Sequence, residues 1–289
     1  DIERLRGSGL DDQLTGDDGP NTLIGGGGND VLTGGGGDDN LTGGADNDTL
    51  TGNTGSDTIR GNSGLDTLSG GGGADFLNGG PGVDQLDGGA GTDELYGMSG
   101  GDTLNGDGDG DLIKGGPGRD TIDGGDGDDE LWGIGGGDTI NGGPGLDDIN
   151  GGSFHDTLFG DGDDDLLVGG TGLDTLDGGA GDDYLLGGGG RDQYVGGTGE
   201  DMASFEESRK PVRADLVAGR ASGEGRDTLV SIEGLVGSPF ADTLRGDGGE
   251  NYLVGLEGDD ILDGRGAFDI LDGGEGNDTL RGGADNDGA

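Results

Sequence analysis

From Gly7 onward one large apolar residue recurs at every ninth position, beginning Leu14, Leu23, Leu32, Leu41, Leu50, Ile59 and Leu68. Cut into blocks of nine, the frame holds without a gap to Ser204, which makes 22 blocks. Position 1 is Gly in all 22, and position 6 is Asp in 21, with Asn21 the exception. Position 8 is Leu or Ile in 20, the others being Tyr194 and Ala203. No helix fits this pattern. A run such as Gly25-Gly26-Gly27-Gly28-Asn29-Asp30 supplies positive φ and close backbone approach. Val31-Leu32-Thr33 then reads as a short strand, with Leu32 on one face and its neighbours on the other. One apolar residue in nine buries little alone. Stacked at about 4.8 Å, such strands form a ladder with a continuous column of Leu, which is a solenoid.

After Ser204 the frame breaks. Residues 205–236 hold only 4 Gly but 5 of the 14 basic residues, with a net charge of −1. Alternation at Val212, Ala214 and Leu216 predicts strands there. Solenoid ends need a different outer face, so this segment reads as a cap or junction. From Gly237 the nonapeptides resume with GSPFADTLR and run to Ala289. The expected organisation is a lead-in motif over 1–6, a first array over 7–204, a cap or junction over 205–236, and the start of a second array over 237–289. Residues 2–32 share 16 identities with the segment 230 positions further on. A super-repeat of about that length accounts for this, and so does a lead-in generic to such arrays.

Composition narrows the function. The 289 residues include 82 Gly, and 62 acidic residues face 14 basic ones, a formal charge of −48. Leu, Ile, Val and Phe make up about a fifth of the chain, close to the margin of disorder. Disorder, however, has no use for a Leu at every ninth residue. Collagen is excluded by 6 Pro and no Gly-X-Y period. Nucleic acid and acidic membranes would be repelled, and no apolar stretch reaches the roughly 18 residues of a membrane span. Without Cys there are no disulfides or thiolate metal sites, and the single His155, at variable position 5, reads as a solvated loop residue. No nucleophile elbow, HExxH or phosphate loop is present, so no enzyme is expected. The N-terminus has neither an initiator Met nor a signal-peptide core, as expected for a piece of a longer chain.

The block GGxGxDxUx, with U a large apolar residue, resembles the calcium-binding repeat of the RTX (repeats-in-toxin, haemolysin-type) family. The resemblance covers all but about 32 residues. It implies an all-β fold, a parallel β-roll with two nonapeptides per turn and Ca²⁺ in the loops between turns. It also implies a secreted, extracellular protein, exported through a type I system and folding outside the cell. At two blocks per turn the first array gives about 11 turns, a rod roughly 50 Å long.

Two blocks per turn would stack the position-6 residues in two columns. One contains Asp12, Asp30, Asp48, Asp66, Asp84, Asp102, Asp120, Asp138, Asp156, Asp174 and Asp192. The other contains Asn21, Asp39, Asp57, Asp75, Asp93, Asp111, Asp129, Asp147, Asp165, Asp183 and Asp201. The second array adds Asp242, Asn251, Asp260, Asp269, Asp278 and Asp287. All are candidate metal ligands. Carboxylates about 5 Å apart repel by about 0.8 kcal/mol per pair even in water-like dielectric. Some 20 such pairs exceed the roughly 5–15 kcal/mol by which a domain is stable, so the metal-free roll should not fold. Ca²⁺ accepts 6 to 8 oxygens, carboxylate and carbonyl together, whereas Mg²⁺ demands a tighter octahedron. One ion per same-side pair of loops predicts up to about 24 Ca²⁺. Position 4 departs from Gly at Leu10, Asp46, Asp109, Phe154 and Asp163, where weaker or altered sites are expected.

Positions 7 and 9 face outward, and the two faces differ. Odd-numbered blocks carry Thr at position 7 in 7 of 11, including Thr103, Thr121 and Thr139. Even-numbered blocks carry Phe76, Tyr96, Leu112, Trp132, Leu166, Val168, Tyr184 and Leu186. β-propensity favours both sets. The even face also suits a neighbouring repeat module or a polysaccharide, and a Thr ladder suits ordered water. Two functions therefore stand: a structural or adhesive calcium-binding repeat, or the accessory module of a secreted enzyme or toxin (protease, lipase, polysaccharide epimerase) whose catalytic domain lies elsewhere.

Overall fold

The structure, a computed structural model, describes residues 3–283. Asp287 lies outside them. The chain forms two compact units, residues 1–149 and 150–289.

In the first unit the strands begin at position 7. The first two, Arg4–Arg6 and Gln13–Thr15, stop after three residues. From Thr22 on each runs six residues, into the next block, as in Val31–Gly36, Asn40–Ala45 and Thr49–Thr54. The sequence predicts only the apolar triplet. The extra half arises because positions 2 and 3 of the next block pair as well, Gly35 with Asn53 and Gly36 with Thr54. Successive strands alternate between two walls, and each pairs in parallel with the strand 18 residues on, Leu32 with Leu50 on one wall and Leu41 with Ile59 on the other. Two nonapeptides thus make one turn. The position-8 side chains from Leu23 to Ile149 are all buried between the walls. Each stabilises the fold by about 1.5–3 kcal/mol.

In the second unit the strands stack in the same two-wall parallel pattern, Leu166–Gly172 with Tyr184–Leu186 and Thr175–Ala180 with Gln193–Thr198, and residues 205–236 join it. Met202–Ser204 pairs in parallel with Gly234–Val236, which pairs with Tyr252–Val254. On the other wall Gln193–Thr198 pairs with Arg226–Val230. Two antiparallel pairings then follow, to Arg220–Ser222 and on to Arg213–Asp215, before parallel stacking resumes with Thr243–Arg245. The 11 turns expected were those of the first array; with the turns contributed by residues 205–236 and 237–281 counted, the parallel stacking makes about 15. Val212 and Ala214 are buried as their alternation predicts, but Leu216 already lies in a turn.

The irregular core residues compensate one another. Tyr194 fills a Leu position, fully buried, and its hydroxyl accepts the Gly187 N–H at 2.8 Å. The following block carries the small Ala203, and Phe205 packs its ring 5.6 Å from that of Tyr194. Leu186, expected on the outer face, is buried, since Phe205 and the segment after it cover that end of the wall.

Candidate metal centre

Position-6 side chains make up most of the buried polar residues, joined among the described residues by Ser204, Asp227 and Ser238. From Asp30 to Asp129 the columns of the first unit are at most 3 % exposed. In each, Oδ1 accepts the backbone N–H of the column member one turn earlier: Asp84 N–H to Asp102, Asp102 N–H to Asp120, and Asp111 N–H to Asp129, all at 2.7–2.8 Å. The second unit repeats this for Asp174 with Asp192, Asp183 with Asp201, Asp242 with Asp260, Asn251 with Asp269, and Asp260 with Asp278. The stacking of both columns is as the two-block turn requires.

Oδ2 behaves differently. In Asp30, Asp39, Asp48, Asp57, Asp66, Asp75, Asp84, Asp93, Asp102, Asp111, Asp120 and Asp129 it is buried without a hydrogen-bond partner, as it is in Asp174, Asp183, Asp201 and Asp260. Each sits over the position-1 glycine of its own block. A Cβ at Gly97 would stand 2.6 Å from Asp102 Oδ2 and 2.7 Å from the Gly115 carbonyl oxygen of the next turn. A Cβ at Gly116 or Gly118 would collide with the carbonyl oxygens of Met98 or Gly100. Position 1 is therefore Gly because any side chain would fill a cradle lined by carboxylate and carbonyl oxygens. Such donors fit a hard divalent cation of flexible coordination, Ca²⁺ above all. Among the described residues no three His, Cys, Asp or Glu side chains converge as a metal cluster, so an ion here would take most of its ligands from the backbone.

The first two blocks of each array are closed instead. Asp12 Oδ2 accepts the Ser8 N–H at 2.6 Å and also the Ser8 hydroxyl, and Asn21 Oδ1 accepts the Asp17 N–H at 2.7 Å. Ser238 with Asp242, and Asp247 with Asn251, repeat the arrangement. Position 2 has ordinary φ in these four blocks, whereas the position-2 residues of the third and fourth blocks, Gly26 and Gly35, have φ of 122° and 118°. The left-handed conformation persists where the residue is not Gly, at Asn53, Met98, Ile134, Leu256 and Arg265. The position-4 exceptions Asp46, Asp109, Phe154 and Asp163 adopt it too, so those loops keep the common backbone.

Burial is the largest influence on these carboxyls and raises their pKa; the backbone N–H opposes it, and column neighbours raise it further. Repulsion, the effect foreseen from the sequence, is the smaller one. Asp48, Asp57, Asp84, Asp93 and Asp183 are pushed up to about 6, Asp120 and Asp192 to about 7, and Asp111 to about 8. His155 remains exposed in its loop, where Nδ1 accepts the Leu173 N–H at 2.9 Å.

Two column members escape the nonapeptide frame. Asp227 Oδ1 accepts the Asp192 N–H at 3.1 Å, and Glu233 Oε2 accepts the Asp201 N–H at 3.0 Å. A signal for Asp227 exists: Gly223-Glu224-Gly225-Arg226-Asp227-Thr228-Leu229 is the repeat motif displaced by one residue from the frame.

On the outer wall of the first unit Phe76 and Tyr96 place their ring centroids 5.4 Å apart. Arg60 lies over Phe76, and Lys114 over Trp132. Beside them Tyr96, Met98, Lys114, Pro117 and Ile134 line an apolar groove of about 320 Å³. Met98 and Ile134 are about half exposed at φ of 79° and 78°. For a β-branched residue that backbone is a strained outlier.

A parallel roll with ladders of open carboxylate oxygens over glycine cradles defines a metal-binding solenoid. The family model of the RTX calcium-binding nonapeptide repeat, built of four copies, matches the chain repeatedly, from residues 6–41 through 168–203 and again over 236–271 and 264–288. The chain belongs to this family of calcium-binding repeats. No curated protein matches it.

Asp102→Ala would remove both an open Oδ2 and the acceptor of the Asp84 N–H. Titration calorimetry is expected to find about two fewer calcium ions, or a split transition at this weak point between turns. Asp102→Asn, which keeps an acceptor, should retain more of the fold. Unchanged stoichiometry in the Ala variant would mean that carbonyls alone hold those ions.

Proposed function

We propose that the chain is a structural and adhesive module of a secreted protein, assembled by extracellular calcium and without catalysis of its own. The observation that carries this is the open, buried Oδ2 in loop after loop, each beside backbone carbonyls. The position-6 residues act as ligands, one ion between successive same-side loops, up to about 24 in all. Extracellular modules bind calcium in the 10⁻⁴–10⁻³ M range, which cytosol does not reach. That the family's repeats are typical of secreted proteins supports export, by a type I system in this reading. Among the described residues no helix is long and apolar enough to cross a membrane. Equilibrium dialysis tests the proposal: some 20 ions with half-saturation near 0.1–1 mM support it, and a handful of ions bound at micromolar calcium overturn it.

The adhesive part rests on the wall of Phe76, Tyr96 and Trp132, with Tyr184 on a later strand. Apolar side chains kept at positive φ beside the rings support a contact role, because Gly would serve the backbone better. A neighbouring repeat module or a polysaccharide would stack there. Trp132→Ala is expected to leave calcium-dependent folding intact while weakening self-association or glycan binding. Sedimentation of a calcium-loaded monomer, with glycan panels unchanged by the variant, would reduce the stripe to β-propensity.

A further inference from the structure

The antiparallel insertion in the second unit creates a surface unlike the rest of the molecule. Arg213, Arg220, Arg226, Arg245 and Arg281 line one open cleft of about 880 Å³. These are 5 of the 14 basic residues of a chain with a formal charge of −48. Strand pairing gathers them: Arg220 and Arg226 come from the two antiparallel strands, Arg213 from the next, and Arg245 and Arg281 share a column with Asp263 between them. Asp215 is already engaged. Burial pushes its carboxyl up, but the hydrogen bond to Arg265 at 2.6 Å, the Ala218 N–H and the charges of Arg265 and of Arg245, 3.8 Å away, together hold it below the usual range. Among the described residues no carboxylate reaches ion-pair distance of Arg213, Arg226 or Arg281. Asp215 and Asp227 also line the cleft and Asp263 stands beside Arg281 in its column, but the arginines outnumber the acids here on a protein that is acidic nearly everywhere else.

We propose that this cleft binds an acidic polysaccharide, through its sulfate or carboxylate groups. Guanidinium matches both oxyanions bidentately, and charge-assisted pairs of this type are the strong ones. The floor between the arginines is built from small residues, Ala214, Gly219 and Ala221, so a bulky chain can approach the backbone. Ser222, Thr228 and Thr243 offer hydroxyls suited to sugar hydroxyls. Arg245 and Arg281 lie two strands apart, roughly 10 Å, a span of the order of one disaccharide. No aromatic ring lines the cleft, which disfavours single-stranded nucleic acid, whose bases need stacking platforms.

The test uses the whole chain at one buffered free-calcium concentration, with a sulfated oligosaccharide and a polyuronate oligosaccharide as probes in titration calorimetry. Binding to at least one is expected, weakening as salt rises and falling at least tenfold in Arg213→Gln/Arg226→Gln/Arg281→Gln, with the circular dichroism unchanged. Arg281→Gln alone, at a strand end, should show a smaller loss and keeps the test open if the triple variant fails to fold. Arg60→Gln/Lys114→Gln, on the aromatic wall, should bind these probes as the wild type does, which separates this cleft from the adhesive reading above. The probe that binds identifies the anion. Failure of both probes, equal binding by the arginine variants, or equal binding of poly-aspartate or DNA would overturn the proposal.

Discussion

Excess chelator at neutral pH is expected to abolish the β-sheet circular dichroism of this chain, and millimolar Ca²⁺ to restore it in one cooperative step. The reason lies in the columns. From Asp30 to Asp129 each buried carboxylate has one oxygen satisfied by backbone and one satisfied by nothing in the protein. A buried charge without a counter-charge is among the costliest arrangements a fold can hold. Free Ca²⁺ tenfold above Kd adds about 1.4 kcal/mol per site through binding to the folded form alone, so some 20 sites together exceed the stability of an ordinary domain. Because each turn contacts only its neighbours, a turn that loses its ions also weakens the next, and the transition should be steep. Mg²⁺ at the same concentration should restore little. A native β-signal persisting in excess chelator would show that hydrogen bonds and the Leu column suffice without metal.

Acid should act on the metal-free and calcium-loaded chains in opposite directions. In the metal-free fold burial pushes Asp111 up to about 8, Asp120 and Asp192 to about 7, and Asp48, Asp57, Asp84, Asp93 and Asp183 to about 6, all above the ordinary aspartate value of 3.8. Between 3.8 and 8 the folded form therefore binds more protons than the unfolded one. Its stability is fully favoured below 3.8 and is lost as pH rises through 6 to 8. In chelator, lowering the pH from 7.5 to 4.5 should accordingly recover part of the β-signal. The ion needs the ionised carboxylates, so protons compete with it and binding releases them. The calcium midpoint should rise at least tenfold between pH 7.5 and 5.5, and the heat of binding should depend on the ionisation enthalpy of the buffer. A pH-independent midpoint would mean that the carboxylates are not the groups that meet the ion.

Much of this was written in the nonapeptide. The two-block turn, the inward Leu and the stacking of Asp30 with Asp48 and Asp66 follow from period and charge, and the columns stand where the frame places them. The role of Oδ1 was hidden, because no sequence pattern reports that a side chain receives an amide from the turn before. Asp227 and Glu233 were missed for a different reason. The antiparallel pair inserted between Arg213 and Val230 displaces the frame, although the stacking in space continues unbroken there. Leu186 illustrates tertiary override: its alternation is that of an outer position, and only the return of Phe205 over the wall buries it. The strained φ of Ile134 was equally invisible, since the backbone at position 2 is set by neighbouring turns and not by the residue that occupies it.

The amide-to-carboxylate bonds all lean the same way. Each column member gives its N–H forward, to the residue one turn later, and takes one from the turn before. The two ends of such a stack are consequently not equivalent. Removing turns from the N-terminal side strands an acceptor, which water or a hydroxyl such as that of Ser8 can satisfy. Removing them from the C-terminal side strands donors in the interior, at Asp192 and Asp201 first, where Asp227 and Glu233 now receive them. The roll is a one-way ratchet of hydrogen bonds, and it is the later turn that locks the earlier one.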